Sequence, residues 1–71
     1  MTYLNNPEML GRVHAHYPGA YAIRVEPGRV WVHCDPVQWG HRDIPGGTVS
    51  LGNSPATAAL AAEILALVAA A

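Results

Sequence analysis

Ala20-Tyr21-Ala22-Ile23-Arg24-Val25-Glu26-Pro27-Gly28-Arg29-Val30-Trp31-Val32-His33-Cys34 is the stretch that decides the fold. Two alternating runs, Ala20 to Glu26 and Arg29 to Cys34, flank a Pro-Gly pair. Proline fixes φ at the second turn position and glycine accepts φ > 0 at the third, so Pro27-Gly28 fits a type II turn. With Glu26 opposite Arg29, Val25 faces Val30, Ile23 faces Val32 and Tyr21 faces Cys34. Successive side chains of a strand point to opposite sides, so these six share one apolar face. Ala22, Arg24, Glu26, Arg29, Trp31 and His33 share the other, and Arg24 opposite Trp31 is placed for a cation–π contact. A division of this kind belongs to an antiparallel sheet covered on one side.

The tail supplies the cover. Ser54 is an N-cap residue and Pro55 suits the first helical position, so Pro55 to Ala71 reads as helix with alanine supplying propensity. Leu60, Ile64, Leu67 and Val68 make a bulky stripe, edged by Leu65 and Ala61, that is expected to lie on the apolar face of the hairpin. Ala59, Ala62, Ala66 and Ala70 form the opposite face, interrupted by Glu63. Ala58, Ala62, Ala66 and Ala70 recur every four residues, a spacing that lets two helices approach closely. A homodimer through this helix is therefore one expectation.

Upstream, Asn6-Pro7-Glu8 reads as a cap, a first-turn proline and a first-turn acid, followed by Met9, Leu10, Val13 and Tyr17 at helical spacing. Arg12 to Tyr17 also alternates like a strand. A two-residue turn at Pro18-Gly19 would then put His14 and His16 on the apolar side at a desolvation cost, so the helix is preferred. Asp35 to Gly47 reads as a long loop. Thr48 to Leu51 reads as a short third strand with Val49 and Leu51 inward. The expected architecture is α+β, a three-stranded antiparallel sheet with N-terminal and C-terminal helices on one face.

At 71 residues the chain is expected to form one domain. A domain of this size buries only about 60% of its unfolded surface and rarely draws more than roughly 3–5 kcal/mol from its core. Cys34 is the single cysteine, so no bridge forms within the chain, which fits a reducing cytoplasm. Met1 to Asn6 has neither the basic nor the apolar region of a secretion signal. The net charge is −1, and all four basic residues are arginine: Arg12, Arg24, Arg29 and Arg42. Alanine, glycine, proline, arginine and valine dominate, as GC-rich codons would supply.

Leu10-x-x-Val13-x-x-x-Tyr17-Pro18-Gly19-Ala20, then Ile23 and Val30-Trp31-Val32, resembles small αβββα orphan proteins of actinobacteria and their phages. Thr48-Val49-Ser50-Leu51, then Ala58, Ala61-Ala62 and Leu65, resembles their short final strand and Ala-Leu helix. The resemblance implies an N-terminal helix ending at the Tyr-Pro-Gly step, and a host cytoplasmic location if a phage encodes the chain. It implies no chemistry.

The chemistry-bearing residues point away from catalysis. His33, Cys34, Asp35 and His41 cluster, with His14 and His16 upstream, but no Cys-x-x-Cys or His-x-x-x-His pair is present. His33 and Cys34 are strand neighbours and point apart, so no metal or other cofactor is expected. Cys34 is expected in the core, away from any base, and no Ser-His-Asp or paired-carboxylate set stands out. Nucleic acid needs more cations than four arginines in a net negative chain. The tail helix carries Glu63 at its middle and no flanking cation, unlike a membrane span. What remains is a protein–protein interaction module. Trp39, His41 and Arg42 in the loop, with Trp31 and Arg24 on the open sheet face, are the contact candidates, because Trp and Arg are enriched at binding hot spots. A nucleic-acid-binding regulator and a structural component of a virion or other assembly are the alternatives.

Overall fold

A computed structural model describes residues 2–4 and 6–70, Trp39 by its backbone alone. The elements run β1 (Thr2–Leu4), α1 (Pro7–His14), β2 (Ala20–Glu26), β3 (Arg29–Cys34), β4 (Val37–Trp39), β5 (Arg42–Ile44), β6 (Gly47–Leu51) and α2 (Pro55–Ala70). The sheet has four antiparallel strands in the order β1-β2-β3-β6, and β4 and β5 form a separate two-stranded ribbon. Three strands were expected. Thr2–Leu4 is too short to show a period, so its pairing with β2 depends on the template β2 offers. The stretch from Asp35 to Gly47 is a hairpin, where the sequence reads as loop. Gly40 turns it at φ +62, and at its base a Cβ on Gly46 would collide with Pro36 and one on Gly19 with Asp35 and Val37, so glycine permits the close approach there.

The β2–β3 hairpin has the expected register from Glu26↔Arg29 to Ile23↔Val32, with Gly28 at φ +74. Beyond Ala22↔His33 the register shifts. Cys34 pairs with Ala20, and Tyr21 is the extra residue of a β-bulge. The expectation that Tyr21 faces Cys34 on the apolar side is therefore corrected. The bulge turns small Ala20 into the core at 2% exposure and leaves Tyr21 57% exposed. A bulge re-aims side chains in this way wherever one residue too many must be fitted. The Asp35 N–H donating to the Gly19 carbonyl at 2.8 Å closes the end of the ribbon.

Helix α1 begins where the cap dictates. Asn6 Oδ1 accepts from the N–H groups of Glu8 and Met9 at 3.0 and 3.3 Å, and Pro7 follows. Its end tightens into 3₁₀-type bonds, the Ala15 N–H donating to the Arg12 carbonyl and the His16 N–H to the Val13 carbonyl, which also accepts an α-type bond from the Tyr17 N–H. His14 Nδ1 lies 3.0 Å from the Pro18 carbonyl. A carbonyl can only accept, so Nδ1 carries the proton. Met9 and Val13 are buried against the sheet.

Helix α2 covers β3 and β6. Thr57, 4% exposed, has its hydroxyl tied to Ser54 and to the Gly52 N–H, which donates at 3.1 Å. Gly52 is at φ +99, and a Cβ there would crowd the Cβ of Ala61 at 3.1 Å, so glycine lets α2 sit this close. The buried stripe is Thr57, Leu60, Ala61 and Ile64, with Leu65 and Val68 packed partly against it. Leu67, expected in the stripe, is 41% exposed. Anchoring at Thr57 and Ala61 rotates the helix so that Leu65, rather than Leu67, turns toward the sheet. An ion pair joins the helices: Arg12 Nη1 and Glu63 Oε1 are 2.7 Å apart.

Both helices lie on one side of the four-stranded sheet. Ile23, Val32 and Ile64 meet in the centre of the core with no exposed surface, flanked by Val13 and Val30.

Candidate functional site

The side of the sheet away from the helices is covered by no element among the described residues. Alternation carries one residue from each strand onto it in a row, Tyr3–Arg24–Trp31–Ser50, following the registers Tyr3↔Arg24, Arg24↔Trp31 and Trp31↔Ser50. A second row is Ala22–His33–Thr48.

Trp31 is bracketed by two guanidinium groups. Arg24 Cζ lies 5.7 Å from its ring centroid and Arg29 Cζ 5.3 Å, both within cation–π range. Arg24 comes from the facing strand, as the register requires, and Arg29 from two residues earlier on the same strand. Glu26 Oε1 reaches Arg24 Nη2 at 3.6 Å, while no acidic side chain among the described residues pairs with Arg29. His33 anchors an aromatic cluster. Its ring stacks on Tyr3 at 6.1 Å between centroids and meets Tyr21 at 6.2 Å, tilted by 33°. Ala22 is the cross-strand partner of His33. His33 Nδ1 and Thr48 Oγ1 are hydrogen-bonded at 2.9 Å.

Three nitrogens on this face are shielded from solvent and have no hydrogen-bond partner among the described residues: Arg24 Nε, Trp31 Nε1 and His33 Nε2. An enclosed polar group without a partner costs roughly 1–3 kcal/mol, so such groups are few in folded proteins and ask for an explanation.

The contact residues expected from sequence divide between two places. Arg24 and Trp31 are on the open face. Arg42 lines a cavity of about 310 Å³ with His16, Tyr17, Cys34 and Val49, on the helix side at the base of the β4–β5 ribbon. His41 is exposed in the turn of that ribbon. The Trp39 side chain lies outside the described residues. Tyr3 and Tyr21 were missed as surface contributors, one because its strand is too short to read and the other because of the bulge.

The remaining chemistry-bearing groups do not converge. Among the described residues no three of His, Cys, Asp and Glu gather to hold a metal. Cys34 is half-buried; burial first, and the Asp35 carboxylate second, push its thiol up, so it is protonated at neutral pH. Ala59, Ala62, Ala66 and Ala70 are all exposed along α2. No helix among the described residues is long and apolar enough to cross a membrane. Comparison with protein-family models, curated proteins and solved structures brings up no match.

Proposed function

We propose that this chain is a protein–protein interaction module whose contact surface is the open face of the four-stranded sheet. The observation that carries the reading is the row Tyr3–Arg24–Trp31 with Arg29 and Tyr21 beside it, on a face that no helix covers. Tyr, Trp and Arg are the residue types enriched at binding hot spots. Arg24 and Arg29 hold the Trp31 ring, so little side-chain freedom is lost when a partner covers it. The opposite face is committed to the core, and the module acts by masking or scaffolding what it binds.

The test uses the full chain as immobilised bait in an extract of its native host, beside Trp31→Ala and Tyr21→Ala variants shown by circular dichroism to be folded. A partner retained by the parent chain and by His41→Ala, but lost with Trp31→Ala, supports the reading. A partner retained equally by Trp31→Ala rejects the open face.

A second reading has its own observation. Tyr3 and Tyr21 are 52% and 57% exposed on a four-stranded sheet with arginines nearby, and exposed sheet aromatics can stack nucleic-acid bases. The net charge of −1 weighs against it. A mobility shift with mixed DNA and RNA at low salt decides that point.

A further inference from the structure

We propose that the open face recognises a short acidic segment of its partner, with a carboxylate of that segment seated beside Trp31. This rests on the interaction reading above and adds the chemistry of the partner. The unpartnered nitrogens are the starting point. Arg24 Nε and Trp31 Nε1 can only donate, and neither finds an acceptor among the described residues. Both belong to residues directly opposite each other in the sheet. Both nitrogens are closed to solvent in the free chain, but the Arg24 side chain keeps 23% exposure, so a carboxylate, with its acceptor oxygens in one planar group, can pair with that guanidinium in a fork.

Charge points the same way. The face carries Arg24 and Arg29 against Glu26 alone, a local excess of one positive charge in a chain whose total is −1. Glu26 holds Arg24 by a 3.6 Å contact at Nη2, which leaves Nε unused. Arg29 has no ion-pair partner among the described residues. One or two carboxylates match this supply. A phosphate polymer asks for more, because its affinity grows with the number of phosphates neutralised.

Size selects a segment rather than a folded surface. Strands of 3, 7, 6 and 5 residues, rising about 3.3 Å per residue and spaced about 4.8 Å apart, span roughly 330 Å². A standard protein interface buries about 800 Å² on each partner. Tyr3 at the end of the row, with Tyr21 and His33 beside it, offers a place for an apolar neighbour of the carboxylate.

The experiment is selection of a random dodecapeptide library on the immobilised full chain, followed by titration of selected peptides, their Asp→Asn and Glu→Gln counterparts, and a ten-residue oligothymidine into isotope-labelled protein. The expected result is an excess of Asp and Glu among selected peptides. It includes a shift of the Trp31 indole N–H resonance, assigned with Trp39→Phe, on binding. Affinity should fall at least tenfold for the amide counterparts and for the Arg24→Gln, Arg29→Gln double variant, and should weaken as salt rises. Selected peptides that bind the face through Trp31 but show no acidic excess would overturn the carboxylate while leaving the interaction reading intact. Oligothymidine binding more tightly than any selected peptide would overturn it in favour of nucleic acid. Failure to select any peptide lost on Trp31→Ala would overturn it together with a peptide-sized partner.

Discussion

Ile64 and Leu67 occupy the same stripe of the tail helix on paper, and the structure gives them different weights. Ile64 has no exposed surface, whereas Leu67 is 41% exposed. Ile64→Ala removes three buried carbons. At about 0.8 kcal/mol per CH₂ the transfer cost is about 2.4 kcal/mol, and an unfilled cavity raises the total toward the upper part of the range of about 2–5 kcal/mol. A domain this small has roughly 3–5 kcal/mol to lose, so Ile64→Ala should leave a chain near its unfolding midpoint in water. Ile64→Val removes one carbon and should cost about 0.5–1.5 kcal/mol, a measurable loss in a still-folded protein. Leu67→Ala removes as many carbons as Ile64→Ala, but with 41% of the residue already in water the same arithmetic gives at most about 1.4 kcal/mol. Alanine's better helix propensity offsets a few tenths of about 1 kcal/mol. Urea denaturation followed by circular dichroism at 222 nm, with unchanged m-values, measures all three. Leu67→Ala costing as much as Ile64→Ala would refute the rotation of α2 described above, and the packing argument with it.

Replacing Asn6 by Ala removes the acceptor for two N–H groups at the start of α1, and a loss of about 1 kcal/mol in the same urea assay is expected, largely restored by Asn6→Ser. A Cβ at Gly19 would collide with the Asp35 carbonyl and lie 2.9 Å from Val37 Cγ2. Gly19→Ala should therefore cost about 1–3 kcal/mol and speed hydrogen exchange at the Asp35 amide. The hydrogen bond from Arg12, and its charge, hold the Glu63 carboxyl below the usual carboxylate range. Stability from that pair is complete above the unfolded value of about 4.3 and is lost as pH falls through the lower folded value. The stability difference between the parent chain and Glu63→Gln should accordingly be present at neutral pH, vanish in acid and shrink with salt; a difference that persists in strong acid would exclude the ion pair as its source. Iodoacetamide should alkylate Cys34 at neutral pH more slowly in the native chain than in urea, because burial keeps the thiol protonated.

The central hairpin, both helices and the two-sided nature of the sheet were legible in the sequence because each is written in local terms. Period two runs through Ile23–Val25 and Val30–Val32, Pro27-Gly28 has the chemistry of its turn, and Asn6 and Ser54 stand where helices start. The Arg24–Trp31 contact followed from register alone. The other half of the candidate site was not legible. Tyr3 reaches the open face on a strand of three residues, which has no period of its own and forms because β2 presents an unpaired edge.

Local pattern determined the central hairpin, the short strand before the tail helix, both helices and most of the core-forming residues, since propensity, capping and alternation act over a few neighbouring positions. Tertiary packing decided the fourth strand and the hairpin at Val37–Ile44, which exist only once a partner strand lies alongside. It also decided the bulge that puts Ala20 rather than Tyr21 inside, and the rotation of α2 that leaves Leu67 in water. In both cases the choice was between two side chains of acceptable character. The volume available beneath the helices, which no single stretch of chain encodes, selected between them.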